Sequence, residues 1–123
     1  MTKIAKIDGG VGQIQIADEV IATIAGTAAL EVEGVADLSG HFASDVAEML
    51  NKRNFSKGVK ITVNEGVVTV DMNITVKFGY KIQDVSANVQ ARVKEAIETM
   101  TGLGFGAANV FVSGIMQEKE RAK

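Results

Sequence analysis

The sequence predicts an α+β fold of two layers, a mainly antiparallel sheet of about four strands with two long helices on one face. Three observations carry that expectation. Residues 59–78, VKITVNEGVVTVDMNITVKF, alternate apolar and polar side chains on both sides of a turn at Asn64, Glu65 and Gly66. Two further stretches, 19–32 and 81–102, repeat their apolar residues with the period of a helix. The expected order is strand, helix, short helix, hairpin, helix, strand, with no internal repeat. One domain is therefore expected across 13–116, between an N-terminal tail (1–12) and a charged C-terminal tail (117–123).

Composition narrows the function classes. A chain of 123 residues suits one domain, and 46% hydrophobic with 23% charged residues is ordinary for a globular protein. The net charge of −2 gives no pull toward nucleic acid or anionic lipid, so neither nucleic-acid binding nor direct membrane insertion is expected. The absence of cysteine excludes disulfides, thiolate metal sites and a cysteine nucleophile. No stretch reaches the roughly 18 to 20 apolar residues of a membrane span. The opening MTKIAKIDGG carries charges where a signal peptide needs its apolar core, and a cytoplasmic location is expected.

Each element has its own signal. IDGGVG (7–12) punctuates the chain, and Ile14 and Ile16 then alternate with Gln13 and Gln15 as a short strand. Asp18 and Glu19 suit the first turn of a helix running to Val32. Ile21, Ile24, Ala28 and Val32 form its large apolar side, and Glu19, Thr23, Thr27 and Glu31 a polar stripe. Between them lies a shoulder of Ala22, Ala25, Gly26 and Ala29. Glycine costs about 1 kcal/mol against alanine inside a helix, so Gly26 implies a close approach. The approaching surface is either the domain's own sheet or a second molecule. For the second case Ala22, Gly26 and Leu30 are the candidate self-association residues, Leu30 being the large apolar residue among polar helix positions.

Ser44 suits the start of a short helix carrying Val46, Met49 and Leu50. In the hairpin, Val59, Ile61 and Val63 face one side of the first strand, and Val68, Val70, Met72, Ile74, Val76 and Phe78 one side of the second. Thr69, Asp71, Asn73, Thr75 and Lys77 form a polar face. In the second long helix Ile82, Val85, Val89, Val93, Ala96, Ile97 and Met100 share a side, and Gly102 supplies a stop. A final strand, ANVFVSGI, turns Val110 and Val112 inward and puts Phe111 on the polar face with Asn109 and Ser113.

The chemistry of catalysis is missing from these patterns. His41 is the single histidine, so the common zinc patterns cannot be assembled, and no nucleophile-elbow sequence accompanies it. The glycines of GGVGQIQ and GLGFGAAN precede a strand, whereas a dinucleotide fingerprint lies between strand and helix. Asp71 is a lone carboxylate, best explained by solvation or by a lysine on the neighbouring strand. No catalytic, cofactor or metal residue is assigned. Lys52, Arg53, Lys57 and Lys60 form a basic cluster, read as a solvated rim or as a partner-binding surface. Phe111, an aromatic on a polar sheet face, marks either contact with another chain or cover by the protein's own tail.

Several blocks together carry a resemblance: EVIATIAGTAALEVEGVADL, KRNFSKGVKI, the VNEGV hairpin and VDMNITVKFGYKIQDVSANVQARVKEAIETMTGL. In this order, over about residues 13–115, the chain resembles the alkaline shock (envelope stress response) proteins of Gram-positive bacteria. The family's Glu-Val-Glu-Gly-Val helix end is matched by Glu31, Val32, Glu33, Gly34 and Val35, and its Ser-Lys-Gly-Val block by Ser56, Lys57, Gly58 and Val59. Relatives often place proline at the starts of both long helices, where this chain has Asp18 and Gln83; both fit a first helical turn. The chain also lacks the long terminal extensions of some members.

The resemblance implies a non-catalytic role: a self-associating protein of cell-envelope homeostasis, peripheral to the membrane through a small membrane-anchored partner. The alternative expectation is a regulatory binding module that controls a metabolic enzyme, in lipid synthesis, through the basic rim or the polar sheet face.

Overall fold

The computed structural model describes residues 4–8, 10–38 and 58–117. Six strands and two helices follow in the order β1 (Ile4–Asp8), β2 (Gln13–Ala17), α1 (Asp18–Leu30), β3 (Val35–Leu38), β4 (Val59–Asn64), β5 (Val67–Lys77), α2 (Ile82–Thr101) and β6 (Gly104–Met116). The fold is α+β, and the two long helices and the central hairpin stand where their periodicity predicts.

β5 is the spine. Its eleven residues alternate between full and partial burial, as the apolar–polar pattern requires. β6 runs parallel along one edge of β5 from Val67 to Lys77. The other edge is shared end to end: β4 pairs antiparallel with Val67–Met72, and β3 with Ile74–Val76. The parallel pair requires a crossover, and α2 supplies it.

Between β4 and β5 the turn has two central residues, Glu65 and Gly66, both at positive φ (55° and 80°). That geometry matches the right-handed twist of the flanking strands, and glycine adopts it freely. Glu65 adopts it against its own preference.

The core lies between β5 and the helices. Ile21 of α1, Val68, Val70, Ile74 and Val76 of β5, and Val89, Val93 and Ile97 of α2 are fully buried. α1 packs on α2, β3 and β4, and α2 packs on β6. Burying one such valine or isoleucine contributes on the order of 1.5–3 kcal/mol.

Four expectations are corrected. Ile4–Asp8 is no tail but a strand, pairing Ile7 with Ile14 and Ala5 with Ile16. Gln13–Ala17, expected in the main sheet, pairs instead with β1 in a separate two-stranded hairpin. Its place in the main sheet is taken by β3, whose four residues are too few to show a period. Ile82, Met100 and Phe78 are exposed rather than buried, Met100 at 68%, because they stand in the terminal turns of α2 and just past the end of β5. The short helix expected after Ser44 lies outside the described residues.

Candidate functional site

The helices cover one face of the main sheet, and the polar residues of β4, β5 and β6 share the other. Strand register arranges them in rows. Lys60 stands opposite Asp71, and Asp71 opposite Asn109. Thr62, Thr69 and Ala107 form the next row, and Asn73 stands beside Phe111. Within the middle row the Asn109 Nδ2 donates to Asp71 Oδ1 at 2.8 Å. An open groove of about 650 Å³ runs over these residues, with Gly58 and Val59 at its margin and Phe111 as its aromatic wall.

This groove holds one carboxylate, one ammonium, two amides and an aromatic ring. Such a set offers hydrogen bonds of both senses and a flat apolar surface, which is the equipment of recognition. Among the described residues no group of three or more His, Cys, Asp or Glu side chains is placed to hold a metal ion.

Two sequence candidates of separate origin, Phe111 and Lys60, are brought together here. Phe111 is 63% exposed and Lys60 is exposed as well. The Asp71 carboxylate, expected to meet a lysine of the neighbouring strand, has Lys60 opposite it and is held from the other side by Asn109. Lys52, Arg53 and Lys57, with His41, lie outside the described residues.

The candidate self-association residues of α1 lie largely inward. Ala22 is only 6% exposed and Gly26 is buried, both within this chain's own interior. Leu30 is half-buried and packs on the core. The two helices lie side by side on one sheet face, and Ala22, Ala25, Gly26 and Ala29 of α1 are all buried there. Of the four residues, Phe111 alone presents an open surface.

The segment Glu31–Val35 is a clasp. Glu31 forms an ion pair with Arg92 of α2, and the Tyr80 hydroxyl donates to Glu33 Oε2 at 3.3 Å. Val32 and Val35 are buried, and the Gly34 carbonyl accepts from Lys77 N–H at 2.8 Å. Gly34 itself lies at φ +99°, and a Cβ there would stand 2.7 Å from Val85 Cγ2 and 2.9 Å from Tyr80 Cδ2. The motif thus fastens the end of α1 to the start of α2 and the end of β5. Its partners Tyr80, Val85 and Arg92 are 46 to 61 residues away, so no local pattern could name them.

Reading residues singly also missed Gln90. Its Nε2 donates to the Ala108 carbonyl at 2.8 Å, tying α2 to β6. Gln90 stands at the margin of the buried side of its helix, seven residues before Ile97, and a polar residue there does not by itself name the strand it reaches.

Fold and surface together define a small α+β domain with a helical layer on one side and an open polar groove on the other. The chain belongs to the alkaline shock protein 23 family, described by its cell envelope-related function, whose model matches residues 6–117. It is 41% identical over 108 residues to the uncharacterized protein YqhY of Bacillus subtilis (strain 168), spanning 88% of this chain and 80% of that one. It is 27% identical over 110 residues to a stress response regulator gls24 homolog of Streptococcus pyogenes serotype M3, spanning 89% of this chain and 62% of the homolog. Among solved structures, a variant of the MamM CTD aligns at a TM-score of 0.49 and 15% identity, over 79% of this chain and 94% of that one. That likeness is too loose to carry an argument.

Proposed function

We propose that this member of the envelope stress family is a non-catalytic interaction protein, acting by self-association and by binding a small membrane-anchored partner. The observation that supports the reading best is Phe111. An aromatic side chain 63% exposed beside the Lys60–Asp71–Asn109 row has the character of an interface residue awaiting its cover. The domain keeps its core complete without it, so the ring contributes to recognition and not to packing. No helix among the described residues is long and apolar enough to cross a membrane. Attachment to the membrane in this reading comes through the partner.

Light scattering of the purified protein across a concentration series, at two salt concentrations, tests the first half. A concentration-dependent dimer or larger species that weakens in Phe111→Ser is expected. A monomer at every concentration removes self-association and favours the regulatory module, in which the groove and basic rim bind a metabolic enzyme. Co-purification with membrane proteins from cross-linked cells tests the second half. A small membrane-anchored protein is expected to be retained by the wild type and lost with Lys60→Glu.

A further inference from the structure

β6 is the longest strand of the protein, thirteen residues from Gly104 to Met116, and among the described residues it has one strand neighbour, β5. Among the described residues no strand pairs with its other edge. Natural sheets protect such an edge with charged side chains, proline, short strands or bulges. β6 reads GFGAANVFVSGIM and contains neither a charged residue nor a proline. Shifts in its register with β5 fall between the partners of Val68 and Thr69 and between those of Ile74 and Thr75. They leave Ala107–Val112 as one unbroken run opposite Thr69–Ile74. This run contains Phe111, and the Asn109 side chain that holds Asp71.

Within the run itself, the described residues supply one guard. The Gln90 side chain reaches from α2 to the Ala108 carbonyl, so that a helix side chain serves a backbone acceptor of this strand.

We propose that Ala108–Val112, within this run, pairs antiparallel with the same five residues of a second copy, and that Gln90 restrains this pairing by holding the Ala108 carbonyl. The inference rests on the self-association reading above and names its surface. Three features favour a second copy as the occupant. The run is uncharged, so pairing it with itself sets no like charges opposite one another. A two-fold axis normal to the sheet leaves both helical layers on one side and both polar faces on the other, so the two grooves become continuous. With Val110 at the axis, Phe111 of each copy stands opposite Asn109 of the other, which covers the exposed ring.

The chain has no cysteine, so single-cysteine variants give an unambiguous readout. Asn109→Cys, Val110→Cys and Phe111→Cys are oxidised at a concentration where light scattering shows association, with Thr27→Cys on α1 as an exposed control. One β6 position nearest the axis is expected to form disulfide-linked dimer at least tenfold faster than the control. Asn109→Lys, folded by circular dichroism, is expected to weaken association tenfold or more by setting a charge in each copy close to the axis. Gln90→Leu is expected to strengthen association about threefold or more.

Each failure has its own meaning. Association by light scattering with no β6 cysteine above the control, and none lost in Asn109→Lys, overturns the β6 edge while leaving self-association standing. A monomer at all concentrations, in the wild type and in Gln90→Leu, overturns both. Unchanged association in Gln90→Leu, with β6 cross-linking intact, overturns the restraint by Gln90.

Discussion

Gly34 and Val85 meet because one of them has no side chain: a Cβ on Gly34 would stand 2.7 Å from Val85 Cγ2. Around this contact the end of α1, the start of α2 and the end of β5 converge. The glycine is required twice over, since its φ of +99° also disfavours any other residue. It makes the Glu31–Val35 segment a structural clasp.

Gly34→Ala is accordingly expected to destabilise the fold by about 2–4 kcal/mol, from overpacking and backbone strain together. Urea unfolding with an unchanged m-value measures it. Adding Val85→Ala to Gly34→Ala should recover part of the overpacking component. If the two substitutions simply add, the steric account is wrong.

The ion pair of the same clasp is a different matter. Arg92 and Glu31 are about half exposed, 46% and 54% at the side chain, so water screens their attraction. Arg92→Ala is expected to cost under about 1 kcal/mol, and the cost should shrink further at high salt. A loss of several kcal/mol would show that the pair acts through packing.

At the hairpin tip the expectation is a gain. Glu65 holds φ 55° in a turn whose geometry suits Asn-Gly. Glu65→Asn should stabilise the protein by about 0.5–1 kcal/mol, read as a higher denaturation midpoint. No gain would mean that the glutamate side chain makes a compensating contact in solution.

Phe111→Ser and Lys60→Glu address the groove. Both residues are exposed, so each variant should keep the wild-type melting temperature within about 2 °C while association or partner capture falls. A matching fall in stability would assign these residues to the fold instead. Reversing Lys52, Arg53 and Lys57 to glutamate tests the basic rim by partner capture alone.

The sequence by itself determined what repeats over short range. The period of two in 59–78 and the period near 3.6 in 81–102 are local consequences of burying one side of each element, and both returned as β4, β5 and α2. The placing of Phe111 on the polar face followed from the same alternation. Tertiary structure decided what those periods cannot contain. Asp71 and Asn109 are 38 residues apart and share a hydrogen bond only because β6 takes its register from β5. Ala22 and Gly26 left both a packing face and an interface open, and in the folded chain both are buried. Ile4–Asp8 carried too short a pattern to be seen as a strand, and β2 supplied the missing partner. Periodicity states which side of an element is buried; which neighbour buries it is fixed by long-range packing, and that neighbour places Lys60 and Phe111 in one groove.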